Sequence, residues 1–355
     1  MEENKKSLSR EDRYKHMNTK RWVAVGLALL LLVLSAIGSG IGSKLKKDRD
    51  DQAKKFMNKL VASEQSYTES VLQGTDASNR LLLVPIKGVI GPSNGNAFLA
   101  SADYNQEKIL ATLDQAKEDK NLRGIVLEID SPGGAVFQAA QVYDKVMEVK
   151  KETKLPVIAV MDSMAASGGY YIACAADKIY AANETITGSI GVIMSSLNLS
   201  GLLEKYGIQD TTIKSAAHKD IGSQTRPMTD EEREILQNYI NSAYNRFLDV
   251  VAKGRKKTKE EIRPLADGRI FDGVQAKNVG LIDEIAYLDQ ALAAFEKDLG
   301  HKDMEVYTLD APFSFNKLGF PFGATSKSRQ KDPVTEEIQN RLSAPKAYYI
   351  YGGER

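Results

Sequence analysis

Ser167 stands in a run of small residues, Ala165-Ala-Ser-Gly-Gly-Tyr-Tyr171. Before it lies an apolar stretch that reads as a strand (156–161), and after it one that reads as a helix (168–176). A strand-to-helix elbow of this kind lifts one side chain above a sheet and leaves the first N–H groups of the helix without intrahelical partners. Those N–H groups favour negative charge developing on an oxygen during acyl transfer. Glycines at 168 and 169 let a substrate backbone come close. Ser167 is therefore a candidate nucleophile, and a nucleophilic serine needs a base at neutral pH.

Of the three histidines, His16 lies near the N-terminus and His301 beyond the last expected packed helix, which leaves His218. A Ser–His–Asp arrangement through His218 is one reading. Its neighbour Lys219 offers another. Lys219 stands among Ala216, Ala217, Ile221 and Gly222, a setting in which a lysine could be buried, and desolvation can bring an amine down to neutrality. Gly133 and Gly134 are candidate oxyanion donors, because they follow one expected strand and precede a helix. Ser-Pro-Gly-Gly alone also describes many ordinary turns.

The elements that must position these residues read as an α/β domain with a largely parallel sheet. Strands are expected over 81–90, with Pro85 marking an edge or a bulge, and over 124–130, 156–161, 178–181 and 185–193. Helical spacing runs through Ile109, Leu110, Leu113 and Ala116, and again through Val136, Ala139, Val142, Val146 and Val149. Residues 197–206 read as helix and 210–214 as extended. Capping boxes at Thr229/Glu232 and Thr258/Glu261 open two further helices, and 288–299 reads as another.

With 48 Lys+Arg against 47 Asp+Glu the net charge is +1, which gives no electrostatic case for nucleic acid. The one cysteine, Cys174, can form no internal disulfide and reads as a small buried hydrophobe. Residues 22–43 are uncharged and long enough to span a bilayer as a helix. The chain thus divides into a cytoplasmic tail (1–21), a transmembrane anchor (22–43), a stalk with loose helical spacing of Phe56, Leu60, Val61 and Leu72 (44–80), a catalytic domain (81–300) and a partly flexible C-terminal extension (301–355). A short N-terminal tail suits a single-pass anchor in the cell membrane with the catalytic domain outside the cytoplasm, although flanking charge alone is nearly symmetrical. Near the end, Ala344-Pro-Lys-Ala-Tyr-Tyr-Ile-Tyr351 has the extended, apolar character of a peptide ligand.

Four motifs occur in order: Asp130-Ser-Pro-Gly-Gly134, Ala166-Ser-Gly-Gly-Tyr-Tyr171, Thr187-Gly-Ser-Ile-Gly191 and Ala217-His-Lys-Asp-Ile-Gly222. Together they resemble the signal peptide peptidase A family, in its short, single-repeat, Gram-positive-type form. The resemblance covers residues 81–299 and the N-terminal anchor. It implies a crotonase/Clp-protease-like fold of repeated ββα units. It also implies a Ser–Lys dyad with Ser167 as nucleophile and Lys219 as general base, which makes His218 a bystander. Gly134 and Gly168 would supply the oxyanion hole, and Ser189 would orient the lysine amine. Ala135, where many relatives carry glycine or serine, departs from the pattern beside the proposed donors. No cofactor or metal is implied. Expected substrates are apolar peptides, including remnant signal peptides in the membrane. Expected partners are further copies in a ring-like homo-oligomer and the chain's own C-terminal tail in the groove. Since the same fold serves acyl-CoA enzymes, such an activity or an inert membrane scaffold is the alternative.

Overall fold

Along one apolar strand Leu82, Val84 and Ile86 face one side and Leu81 and Leu83 the other, and all five are buried. A strand covered on both faces needs a layer of helices on each, the usual setting of a parallel sheet. The computed structural model of the chain describes residues 67–92 and 104–310, and the backbone of 347–350. All of these belong to one unit, Tyr67–Arg355.

The main sheet runs in the order β1 (Thr68–Gln73), β11 (Met304–Asp310), β2 (Asp76–Lys87), β3 (Leu122–Ser131), β5 (Val157–Ala166), β6 (Lys178–Ala181), β10 (Glu284–Ile285). Beyond the end of β6, β7 (Ile186–Gly188) pairs with β5, and β9 (Ile270–Phe271) pairs with β7. From β11 to β10 every neighbour on the main path is parallel; β1–β11 and β7–β9 are antiparallel. On one face lie α1 (Gln106–Gln115), α2 (Val136–Thr153), α3 (Gly168–Ala173) and the buried end of α5 (Asp230–Arg255), packed on Leu82, Val84, Ile125, Leu127 and Ile129. The other face is covered by α8 (Leu288–Leu299), whose Ala291, Leu292 and Phe295 pack on Leu81, Leu83, Val126, Ile158 and Val160. Burying a side chain of this size stabilises by about 1.5–3 kcal/mol.

Several local expectations meet a different outcome. Pro85 lies inside one continuous strand, but β11 pairs with β2 only as far as Leu82, so Pro85 occupies a stretch with one open edge. That is where a missing N–H does no harm. Leu72 sits in β1, not on a stalk helix, and β1 is held by β11, more than 230 residues later. The sheet therefore takes in residues before 81, and β11 brings 304–310 into it as well. The stretch 197–206 shortens to α4 (Ser200–Lys205), and 210–214 joins no sheet. Both expected capping boxes are present; α6 (Lys259–Ile262) follows the second, and a third, Asp272 with Gln275, opens α7 (Gly273–Asn278). The expected tail (1–21) and anchor (22–43), and the 44–80 stalk as far as residue 66, lie outside the described residues. Among the described residues no helix is long and apolar enough to cross a membrane.

Candidate active site

Ser167 sits at the junction of β5 and α3 with φ +52° and ψ −111°, and it is 1% exposed. A non-glycine residue held in that region costs about 1–3 kcal/mol and persists only where its surroundings force it. They do so from both ends. On the β5 side, the register with β3 moves from Ile129↔Met161 to Ser131↔Ala165, so four residues of β5 oppose two of β3. The Asp130 carboxylate fills this bulge, accepting from Ser163 Oγ (2.6 Å) and Met164 N (3.1 Å). On the helix side, the Tyr170 hydroxyl donates to Leu281 O (2.7 Å), and the Tyr171 ring packs between Tyr143 and Phe247. At the elbow itself Ser167 N donates to Gly188 O (2.8 Å).

That bond ties the elbow to the Thr187–Gly191 motif. Thr187 Oγ1 donates to Ala165 O (2.7 Å), while Ser189 is 7% exposed with φ +49° and donates its N–H to Arg269 O (2.8 Å). Ser189 thus follows directly on the carbonyl that holds Ser167, beside the candidate nucleophile.

The glycine turn forms β4 (Gly133–Ala135), against which α3 packs. Gly133 has φ +98°, and a Cβ on Gly134 would lie 1.9 Å from Ile90 O, so both positions require glycine. Ile90 N donates to Gly133 O and Ala135 N to Ile90 O, each at 2.8 Å. In an extended strand this turns the N–H and C=O of Gly134 the opposite way, toward the side on which a further strand lies. That strand is β12 (Ala347–Ile350) of the C-terminal tail. It runs antiparallel to β4, with Tyr349 opposite Gly134, and antiparallel to β8 (Ile193–Met194) on its other edge. The three form a small separate sheet in the order β4-β12-β8. The expectation of a tail in the groove thus has a structural counterpart in backbone pairing.

The two candidate bases lie elsewhere. His218 Nε2 is 3.4 Å from Glu231 Oε1 at the start of α5, and no hydrogen bond links it to Ser167. Lys219 is exposed and makes no side-chain bond to Ser167 or Ser189. This corrects the expectation of a buried lysine. The small neighbours that suggested burial belong to a surface turn, in which Lys219 N donates to Ala216 O (3.2 Å). Sequence reasoning also passed over Arg226. Its guanidinium donates twice to the Asp220 carboxylate (2.8 Å each) and reaches Glu232, the capping-box residue of α5. Lys214 Nζ adds a bond to Asp220 Oδ1 (2.8 Å). The Arg226 bonds, followed by those of Lys214, hold the Asp220 carboxyl well below the usual carboxylate range. Arg226 likewise lowers Glu232 to about 2. The turn carrying Lys219 is thereby stapled to a helix N-terminus, even though it is exposed. The described residues contain no group of acidic, histidine and cysteine side chains able to hold a metal ion.

The comparisons with known proteins bear on the family. Residues 149–302 match the family model described as Peptidase family S49, and residues 99–187 match that described as Clp protease. A protein of Enterococcus faecium named for the signal peptide peptidase SppA is 38% identical over 344 residues, covering 95% of this chain and 100% of that one. The chloroplastic serine protease SPPA of Arabidopsis thaliana is 33% identical over 220 residues (62% of this chain, 32% of the relative). Protease 4 of Haemophilus influenzae is 31% identical over 226 residues (64% and 36%). The chain spans about a third of the length of these last two. With a Clp-protease-like α/β fold, a strained serine at its elbow and a relative matched from end to end, this chain belongs to peptidase family S49 and is a serine endopeptidase.

Proposed function

We infer that this endopeptidase is a membrane-anchored Ser–Lys enzyme that cuts apolar peptides, remnant signal peptides among them. One observation carries the reading. A stretch of extended chain lies between β4 and β8, its Tyr349 opposite Gly134, at the site where Ser167 is held in a strained conformation. A substrate laid along the same track would present its carbonyl to the Gly134 and Gly168 amides, with Ser167 Oγ as attacking group. Residues 22–43 supply the anchor, and the name of the Enterococcus faecium relative supports signal peptides as substrates. The test is hydrolysis by the detergent-solubilised full chain of an apolar signal-sequence peptide and of a polar peptide of equal length. Preference for the polar peptide would sink the substrate assignment.

Lys219 acts as base in this reading, and only a covered lysine can lose its charge near neutral pH. A second copy can provide the cover. The segment bearing Lys219 displays Leu197, Leu202, Tyr206, Ile208 and Ile213 to solvent, Ile213 at 97%, an apolar display that marks an interaction surface. A closed ring repeats one such contact around an axis, and places the Lys219 turn of one subunit at Ser167 of the next. Ser189, beside Ser167, would then orient the incoming amine. Such a base also depends on the Arg226 staple. Arg226→Ala should lower kcat about tenfold with KM little changed, and Arg226→Lys should fall in between, because an ammonium cannot copy the two-pronged bond. Steady-state kinetics on one apolar peptide decides it.

The tail strand competes with substrate. Held on the same chain, a weak ligand still sees a millimolar effective concentration. Deleting the residues after Asp332 should therefore raise kcat/KM for an added peptide by about three- to tenfold. Unchanged kinetics would mean that the groove is open without the deletion.

A further inference from the structure

Ser131 closes β3 and is wholly buried. It is followed by Pro132, which has no N–H, and by the glycine turn. Its hydroxyl is used in both directions. Oγ donates to Gly88 O at 2.6 Å and accepts from Gly133 N at 3.1 Å. Ser131 therefore joins the loop after β2 to the first residue of the oxyanion turn. It also lies beneath the elbow, since a Cβ built on Gly169 would meet Ser131 O at 3.0 Å and Ser131 Cβ at 3.6 Å. Its strand partner is Ala165, two residues before Ser167.

Gly133 faces two demands. Its carbonyl accepts from Ile90 N, and its N–H, in a buried left-handed turn, must find an acceptor or stand unpaired at considerable cost. Ser131 Oγ supplies that acceptor, and by giving its own proton to Gly88 O it keeps its lone pair aimed at Gly133. The bond fixes the peptide plane entering Gly133, while the bond from Ile90 N to Gly133 O holds the next plane, so Gly133 is clamped on both sides and the direction of the Gly134 N–H is set with it. Stabilisation of an oxyanion is acutely sensitive to donor direction, because preorganised donors do their work without moving.

We propose that Ser131 is a positioning residue, whose hydroxyl aims the Gly134 amide at the developing oxyanion without touching the substrate. This rests on the reading of Gly134 as an oxyanion donor, and the test separates the two ideas. The probes are a peptidyl boronic acid and the matching unreactive peptide amide, applied to the full-length enzyme in detergent. Ser167 Oγ adds to boron, and a boron-bound oxygen then occupies the oxyanion site. Binding of the unreactive peptide is measured in parallel.

In Ser131→Ala, kcat should fall about ten- to a hundredfold with KM nearly unchanged. Boronate affinity should fall in step, while affinity for the unreactive peptide stays constant. A purely structural role would weaken both ligands together and raise KM, and that result overturns the proposal. So does a variant that keeps the full boronate advantage. If the wild-type enzyme itself binds the boronate no better than the unreactive peptide, the oxyanion reading falls instead, and the proposal with it. Should Ser131→Ala fail to fold, Ser131→Cys fills the same place with a much weaker donor and acceptor, and it must show the same split.

Discussion

Peptide hydrolysis should drop by a factor on the order of 10⁴ or more in Ser167→Ala, to a rate set by the oxyanion donors and substrate positioning alone. The fold should survive the change. Ser167 makes its structural bond through its backbone N–H, to Gly188 O, and alanine keeps that group. Alanine does not relieve the positive φ, since any side chain meets the same steric conflict there, so the elbow should be neither rescued nor broken. The check is paired: turnover of a fluorogenic apolar peptide, and thermal unfolding of the same sample. Loss of activity with an unchanged melting temperature identifies the hydroxyl as the reacting group. Substantial residual turnover would move the nucleophile to another side chain.

Lys219→Ala should be nearly as severe, with kcat lowered by about 10³-fold or more, whereas His218→Ala should leave turnover largely intact. The contrast is sharp because the two residues are neighbours. A generic disturbance of the surface turn would harm both variants, and only loss of a base separates them. An inactive His218→Ala with an active Lys219→Ala would favour a Ser–His pair. Exposure of Lys219 in the single chain leads to a second measurement. Neither Ser167→Ala nor Lys219→Ala has a complete dyad on one chain. In a mixed ring of equal parts, a site that draws its serine from one subunit and its lysine from the next is complete about one time in four. Mixing and reassembling the two inactive proteins should therefore restore roughly a quarter of wild-type turnover under the same ring geometry. No recovery after verified subunit exchange would confine the dyad to a single chain.

The parts of this molecule that were legible in its sequence are those encoded over short distances. The run from 156 to 161 is continuously apolar, as a strand covered on both faces is, the glycines after Ser167 mark a turn, and Thr229 with Glu232 announces α5 three residues apart. Each signal is a few residues long and depends only on near neighbours in the chain. The parts that were not legible depend on partners far along the chain. β1 exists because β11 lies beside it, and Leu72, read locally, has the spacing of a helix. The surroundings of Lys219 were misread for a related reason. Alanine and glycine neighbours are compatible with burial but do not cause it, and here they serve the tight turn between Lys214 and Ser223. Arg226 carries no local signal, because its two carboxylate partners lie six residues away on either side. Ser131 was in view as part of a motif, but nothing in a linear string reveals that its hydroxyl faces a carbonyl 43 residues earlier.

The tail strand is bordered on both sides, by β4 and by β8. A site read along two edges at once accepts only a chain whose own edges are both vacant. A helix has spent its amides on itself, and a strand already within a sheet has lent at least one side to a neighbour. On the proposed reading, in which substrate follows the tail's track, such a site would sort molecules by conformation before any side chain is inspected: folded proteins nearby would be spared, and a helical segment would have to unwind before being cut.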